Sequence, residues 1–167
     1  FIDKYLNNLF KIGYEACENG KYYKFDENYD LVDSDVTTAE EAVSNVMDID
    51  SVRDMYILYE IVHDYDCGEG SFYMCVDLSK DSKCPKLKFT SPWDFNWAYN
   101  DSTEKYYAGA FTDKNFVAKK GDRSNPWFII LCKQDWFMDA VKEKWTEMSQ
   151  EKLLQGGIKT ESEYLKE

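Results

Sequence analysis

The chain has 167 residues, enough for one domain with a hydrophobic core. Hydrophobic residues make up 44% and aromatic residues 17% of the sequence, which argues against a disordered chain. The formal net charge of −12 repels phosphate backbones and anionic lipids, and no apolar run reaches the roughly 20 residues that span a bilayer. We therefore expect neither nucleic-acid binding nor membrane insertion.

The first third of the sequence predicts two helices. Apolar residues recur at helical spacing over 1–18, and Asn19-Gly20 is a typical helix end. The polar, Tyr-rich residues 21–36 predict a loop with at most one short strand. Two overlapping Thr-x-x-Glu patterns then predict the capped start of a second helix over 37–47.

A third helix and a β-hairpin occupy the middle of the sequence. Ser51 with Asp54 predicts the N-terminal cap of a helix that runs to about residue 63. A Gly-rich turn follows, and then two apolar segments, 71–77 and 86–90, are joined by a polar loop. This pattern is typical of an antiparallel hairpin.

Two more helices are predicted near the C-terminal end. Residues 98–124 show no period and predict an irregular excursion, part of it near the hairpin. Asn125-Pro126 predicts a helix start, with Asn as the cap and Pro at the first helical position. Asp135 caps the next helix, which continues to about residue 154. Five helical segments around one hairpin predict a mainly helical α+β domain.

Two carboxylates flank the predicted hairpin. Asp66 lies in the Gly-rich turn before it, and Asp94 follows the second strand within Trp93-Asp94-Phe95. Protein kinases use this order to bring a catalytic Asp and a metal-binding Asp to one phosphate. Ser71, five residues after Asp66, stands where protein kinases carry an Asn that binds the metal.

The same residues allow other interpretations. Asp64, Asp66 and Glu69 could form a turn, or could bind Ca²⁺ without the full EF-hand pattern. His63 at a helix end is suited to the helix dipole. Asp94 could be a turn or cap residue. The alternating aromatic residues Trp93, Phe95 and Trp97 could lie at the end of a strand, with alternate residues facing the core and the surface.

The five cysteines do not predict a zinc site. No CxxC pair occurs, and His63 is the only histidine. Cys75 and Cys84 bracket the hairpin loop and could form a disulfide if their strands are in register. The alternative is that the cysteines are free, buried thiols.

Several segments together resemble one protein family. They are the helix over 49–64, Ser71-Phe72-Tyr73-Met74, Leu87-Lys88-Phe89 leading into Pro92-Trp93-Asp94-Phe95, and Asn125-Pro126-Trp127-Phe128 with its following helices. Through these segments residues 45–148 resemble the spore-coat protein H (CotH) kinases, which are atypical protein-kinase-like proteins of bacteria.

The resemblance implies a fold, an activity and a site. The fold would be like the C-terminal lobe of a protein kinase, with the hairpin carrying the site. The activity would be phosphorylation of Ser/Thr hydroxyls in a protein substrate, dependent on ATP and on Mg²⁺ or Mn²⁺. Asp66 falls on the catalytic-loop Asp and Asp94 on the metal-binding Asp, with Ser71 and Asn96 as further metal ligands. Many family members have a second Asp where Asn96 stands, so this position brings an oxygen without a charge.

The upstream half of a kinase site is not recognisable in the sequence. We find no Gly-rich phosphate loop and no ATP-contacting Lys with a Glu partner. The chain begins at Phe1 inside a predicted helix, so we interpret residues 1–167 as one domain that forms the C-terminal half of a larger kinase domain. The N-terminal lobe of the same protein would be its partner, and the chain alone would bind nucleotide weakly and be inactive.

Two other functions remain open. The chain could be a non-catalytic scaffold or binding module in a bacterial coat or secreted complex. It could also be a carbohydrate-binding or hydrolytic domain, with Asp66 and Asp94 as acid and base. The family resemblance suggests a bacterial, extracellular, cell-surface or spore-coat location.

Overall fold

Five α-helices and two antiparallel β-hairpins make up the part of the chain that the structure describes. The structure is a computed structural model, and it describes residues 1–62, 70–98 and 125–150. In chain order the elements are α1 (Ile2–Asn19), β1 (Tyr23–Phe25), β2 (Leu31–Asp33), α2 (Ala39–Ser44), α3 (Ile49–Val62), β3 (Tyr73–Cys75), β4 (Lys88–Thr90), a 3-10 helix (Phe95–Trp97), α4 (Pro126–Leu131) and α5 (Asp135–Gln150). The predicted α+β class is confirmed.

Helix α1 begins and ends where the sequence predicts. Gly20 adopts φ 62°, a left-handed conformation that glycine tolerates, and its backbone N–H donates to the carbonyl of Glu15. The apolar face of the helix lies in the core, with Tyr5, Leu9, Ile12, Gly13 and Ala16 buried. Helix α1 therefore forms one wall of the domain.

Residues 21–36 form the hairpin β1–β2, so the prediction of a loop with at most one strand is wrong. The turn is closed by Asp26, whose Oδ1 accepts hydrogen bonds from the backbone N–H groups of Asn28 and Asp30, both at 2.8 Å. Tyr29 occupies a left-handed position there, with φ 60°. Its ring packs edge-on against Tyr5 at 5.5 Å. Each strand has only three residues, too few to show a period of 2 in the sequence.

Helix α2 starts as predicted, but helix α3 is not capped by the predicted residue. Thr38 caps α2 by accepting a hydrogen bond from the N–H of Glu41 at 3.2 Å. Helix α3 is capped by Asp48, whose Oδ1 accepts from the N–H of Ser51 at 3.1 Å. Ser51 lies within the first turn instead, and its hydroxyl accepts from the N–H of Phe89 at 3.2 Å. The predicted cap is wrong because this hydroxyl stabilises strand β4.

The hairpin β3–β4 is tied to the start of helix α3. Met74 lies opposite Phe89 in an antiparallel register, and the strands are shorter than the predicted 71–77 and 86–90. Just before β4, the N–H of Leu87 donates to the carbonyl of Val46, and the carbonyl of Leu87 accepts from the N–H of Asp48, both at 2.9 Å. Strand β4 is thus fixed relative to α3.

Helices α4 and α5 close the core behind the hairpin. Asn125 caps α4 as predicted, accepting at Oδ1 from the N–H groups of Trp127 at 3.0 Å and Phe128 at 3.4 Å. Helix α5 begins at Asp135 as predicted, and it buries Phe137. The ring of Phe128 is fully buried and lies at the centre of the aromatic core, within 6.4 Å of the rings of Tyr56, Tyr59, Phe72 and Phe89.

The described cysteines are free thiols: Cys17, Cys75, Cys84 and Cys132. Cys75 lies opposite Lys88 across the hairpin and is exposed, so it does not fit the expectation of a buried thiol. Cys67 lies outside the described residues. Among the helices that the structure describes, none has the length and hydropathy needed to cross a membrane.

Candidate metal centre

Three of the residues predicted to form the site lie together at the open end of the β3–β4 hairpin. The hydroxyl of Ser71 donates to Oδ2 of Asp94 at 3.3 Å. The side-chain amide of Asn96, in the orientation that satisfies its hydrogen bonds, donates from Nδ2 to Oδ1 of Asp94 at 2.7 Å and to the Asp94 carbonyl at 3.2 Å. Both carboxylate oxygens of Asp94 therefore have a neutral polar partner.

Aromatic neighbours hold these residues in place. Phe72 follows Ser71 and Phe95 follows Asp94, and both rings pack against the buried ring of Tyr59, with centroids 6.0 and 6.1 Å away. Phe72 also packs edge-on against Phe89 at 4.7 Å. Tyr59 belongs to helix α3, so one core residue positions both the segment before strand β3 and the segment after strand β4.

The backbone around Asp94 is strained. Asp94 adopts φ 63° and ψ 55°, and Ser71 and Ser91 have φ values of 49° and 53°. The left-handed region costs a non-glycine residue roughly 1–2 kcal/mol, and such residues concentrate at functional sites. Three of them within one small site indicate that the fold holds the Asp94 carboxylate at some cost.

The structure rejects the simpler interpretation of Asp94 as a helix cap. Asp94 directly precedes the 3-10 helix Phe95–Trp97, but its side chain makes no capping hydrogen bond. The carboxylate is instead directed at Ser71 and Asn96. Asp94 follows strand β4, which ends at Thr90 as predicted. The expected strand faces around Phe95 are wrong, because this segment is helical.

The site is open to solvent. Asp94 and Asn96 are exposed, and the neighbouring Trp93 is 62% exposed. The side chain of Trp93 therefore does not pack in the core, and this contradicts the strand interpretation. An exposed carboxylate with an exposed aromatic ring beside it can be reached by a metal ion, and also by a ligand that carries a metal ion.

The donor set fits a hard divalent cation such as Mg²⁺. Such ions take oxygen ligands and commonly use one or two carboxylates, with water and phosphate oxygens completing the shell. Asp94 supplies a carboxylate, Ser71 a hydroxyl oxygen, and Asn96 an amide oxygen after a half-turn about its last side-chain bond. In the described part of the chain no group of three or more His, Cys, Asp or Glu side chains could hold a metal. The centre depends on neutral oxygens beside one carboxylate.

The predicted catalytic residue cannot be placed in this geometry. Asp66 lies outside the described residues, together with His63, Asp64 and Glu69. The proposed turn and calcium interpretations of that segment lie outside them as well, as do residues 99–124, most of the predicted irregular excursion. The structure thus brings together Ser71, Asp94 and Asn96 and leaves the role of Asp66 a prediction.

A buried polar cluster behind the site serves packing. Burial raises the pKa of the Cys132 thiol to about 12 and also raises the pKa of Tyr56. The two side chains interact with each other, and Glu60 adds a further rise to both pKa values. Both groups are therefore neutral near pH 7, and neither is suited to proton transfer.

Sequence reasoning missed the residue that supports the site. Tyr59 of α3 contacts both Phe72 and Phe95, and nothing in the sequence pattern indicates these contacts. The available signal is that Ser71 and Asp94 are each followed by Phe. A polar residue next to a buried aromatic ring is fixed at the surface by the packing of its neighbour.

Comparison with known proteins assigns the family. A family model described as CotH kinase protein matches residues 14–167. This chain belongs to the CotH kinase family. The match extends well beyond the 45–148 on which the sequence resemblance was based, and it includes the whole hairpin and helices α2 to α5. No curated protein and no solved structure matches the chain.

Membership of the CotH family fits the chemistry of the site. A kinase-like family uses nucleotide and divalent metal in general, and it acts on protein substrates in general. The oxygen donors around Asp94 are of the type such a metal requires. The oxygen donors around Asp94 are therefore compatible with the metal use of such a family.

Proposed function

We propose that this chain carries the metal-binding half of a phosphotransfer site, in a CotH kinase that phosphorylates Ser/Thr hydroxyls of a protein substrate. Asp94 would be the main ligand of Mg²⁺ or Mn²⁺ bound with ATP, and Ser71 and Asn96 would add neutral oxygens. The observation that carries the proposal is the convergence of Ser71 and Asn96 on the two carboxylate oxygens of Asp94.

Each residue has a distinct part in this proposal. The metal ion would neutralise charge on the phosphates of ATP. Asp94 would anchor it with a full negative charge. Asn96 and Ser71 would release their hydrogen bonds to Asp94 and present oxygen atoms. Asp66 would orient the acceptor hydroxyl and accept its proton.

The organisation of the chain supports a C-lobe-like role. Helices pack behind a short hairpin that carries the candidate metal centre, and no Gly-rich phosphate loop is recognisable in the sequence. We propose that residues 1–167 act as one domain, the C-terminal half of a larger kinase domain. A segment of the same protein would supply the N-terminal lobe that contacts ATP.

The test is phosphate transfer from radiolabelled ATP by the protein that contains this chain. Asp94→Asn keeps the size of the side chain and removes its charge, and we expect the rate to fall by at least about a hundredfold, as when an electrostatic group is removed from a catalytic site. Asp33→Asn makes the same change on the exposed strand β2 and should leave the rate unchanged. Equal rates for the two variants would refute the site.

One observation favours a second candidate, a non-catalytic scaffold on a bacterial surface, in a spore coat or in a secreted complex. Asn96 stands where many family members have an Asp, and its amide N–H group occupies Oδ1 of Asp94. A site that binds no metal could keep this arrangement permanently. Mn²⁺ binding separates the two candidates, because a scaffold with this arrangement has no affinity that depends on Asp94.

A further inference from the structure

A lysine-rich segment lies on the loop side of the hairpin that carries the candidate metal centre. Residues 77–88 contain four lysines and two aspartates, in a chain whose net charge is −12. We call Lys80, Lys83, Lys86 and Lys88 the lysine patch. Lys80 and Lys83 are exposed, and Lys86 and Lys88 are half-buried. The patch is a local positive surface on an otherwise acidic molecule.

The lysines of the patch are poorly neutralised. Five other lysines of the described residues form close ion pairs with acidic side chains: Lys4 with Asp30, Lys24 with Asp35, Lys133 with Glu18, Lys142 with Asp139 and Lys144 with Glu147, at 2.7 to 3.0 Å. Within the patch only Lys88 has a partner, Asp48, at 3.6 Å. Across the described residues, no ion pair involves Lys80, Lys83 or Lys86.

The patch borders a concave surface. A pocket of about 410 Å³ is lined by Lys83, Lys86 and Lys88 together with Ser82, Cys75 and Cys84, and also by Asp77 and Asp81. The carboxylate of Asp77 accepts a hydrogen bond from the N–H of Ser79 at 3.0 Å. The three lysines of the lining exceed its two aspartates by one charge. A pocket of this size can receive one or two acidic side chains of a bound peptide.

Strand β4 connects the lysine patch to the segment that carries the candidate metal centre. The strand runs from Lys88 to Thr90, and Asp94 follows four residues after its end. Eight residue steps separate Lys86 from Asp94 and eleven separate Lys83 from Asp94, which sets upper limits of roughly 26 and 36 Å for these separations. A peptide that lies extended along the hairpin covers these distances with about eight to eleven residues.

We propose that the lysine patch is a docking site for acidic side chains of the protein substrate. The inference rests on the proposed function, because it takes the acceptor hydroxyl to lie near the metal ion held by Asp94. A Ser or Thr bound there would be followed or preceded, about eight to eleven residues away, by Glu or Asp residues that pair with Lys83 and Lys86.

An acidic peptide suits the patch better than a nucleic acid or an anionic membrane. The net charge of −12 repels an extended polyanion over the whole surface. A short acidic segment contacts only the patch, and charges farther away than the Debye length of about 8 Å are largely screened at physiological salt. The local sign of the patch therefore decides the binding of a short segment.

The test measures binding directly, without catalysis. The probe is a fluorescein-labelled peptide with a central Ser and three Glu residues on each side of it, placed about eight to eleven residues away. Fluorescence anisotropy compares it with a peptide in which Gln replaces every Glu. We expect the Glu peptide to bind more tightly, and K83Q/K86Q to weaken its binding about fivefold, the effect of losing two exposed ion pairs.

A matched control uses Lys11 and Lys21, which are exposed and lie outside the patch. K11Q/K21Q makes the same change in net charge and should leave the affinity within twofold. D94N should also leave it unchanged, so a failure of the metal centre is distinguishable from a failure of the docking site. Equal binding of the two peptides, or an equal loss in K11Q/K21Q, would overturn the proposal. Tighter binding of a single-stranded oligonucleotide or an anionic vesicle through Lys83 and Lys86 would overturn it too.

Discussion

The hydroxyl of Ser71 donates a hydrogen bond to Oδ2 of Asp94 over 3.3 Å, although 23 residues separate them in the sequence. The bond is longer than the usual 2.5–3.0 Å between two oxygens, so it is weak and easily replaced. Both residues have left-handed backbone conformations. The fold therefore brings a carboxylate and a hydroxyl together at an energetic cost and gains only a weak bond from the contact, as expected of a site shaped for a ligand.

A charge added at Asn96 should strengthen metal binding. Asn96→Asp places a second carboxylate beside Asp94, and we expect Mn²⁺ affinity to rise about tenfold, since ligand charge tunes the affinity for hard cations. Isothermal titration with Mn²⁺ measures the change. The control is Asn8→Asp, which adds the same charge on α1, where Asn8 donates to the carbonyl of Tyr29. If Asn96→Asp binds Mn²⁺ no better than the wild-type chain, Asn96 is not a ligand.

Tyr59 should stabilise both the fold and the candidate metal centre. Its ring is fully buried against Phe72 and Phe95. Replacing it by Leu removes much of the ring, and we expect a loss of about 2–4 kcal/mol in the free energy of unfolding, measured by urea denaturation. Tyr14 is 43% exposed, so Tyr14→Leu should change stability by less than about 0.5 kcal/mol. Similar losses in the two variants would contradict the assigned packing.

Stability should fall in alkaline solution because of one buried thiol, Cys132, and one half-buried thiol, Cys17. Burial raises the pKa of Cys17 and Cys132 from 9.0 to about 12. Above pH 9 the unfolded chain loses these protons while the folded chain keeps them, so a rise in pH favours unfolding until about pH 12. We expect a loss of about 1 kcal/mol per thiol between pH 8.5 and 10.

Urea denaturation at several pH values measures this loss. Cys132→Ala should remove its share of the pH dependence, whatever its effect on stability at pH 7. Cys75→Ala is the control, because it removes a thiol that is exposed and not buried in the core. A slope that is the same in Cys132→Ala and in the wild-type chain would show that Cys132 titrates normally.

Mg-ATP should bind weakly to this chain alone. The reason is that no Gly-rich phosphate loop and no ATP-contacting Lys are recognisable in its sequence. We expect isothermal titration to give a dissociation constant of about 1 mM or weaker, equivalent to about −4 kcal/mol. The comparison is the longer protein that contains this chain. Micromolar binding by the 167 residues alone would refute the division of the site between two lobes.

Local sequence signals correctly predicted the helix ends that depend on residues close by in the sequence. Gly20 ends α1, Thr38 caps α2 and Asn125 caps α4, because each of these bonds spans only a few residues. The order of Ser71, Asp94 and Asn96 also pointed to one site before the structure placed them together.

The sequence predictions were wrong where contacts between residues far apart in the sequence determine the structure. Ser51 was expected to cap α3, but its hydroxyl accepts from Phe89, 38 residues away, and Asp48 takes the capping position. The left-handed conformation of Asp94 was not predicted, nor was the packing of the next residue, Phe95, against Tyr59, which lies 36 residues earlier in the sequence. Such packing leaves no period in the sequence.

Mn²⁺ binding followed by electron paramagnetic resonance tests the metal-centre proposal most directly. The wild-type chain should bind one Mn²⁺ ion at the candidate centre, with loss of the free-ion signal. Asp94→Asn should weaken this binding at least about tenfold, because it removes the only carboxylate of the proposed ligand set. Asp33→Asn should bind as the wild-type chain does. Identical titrations of the wild-type and Asp94→Asn chains would contradict the proposal that Asp94 holds the metal.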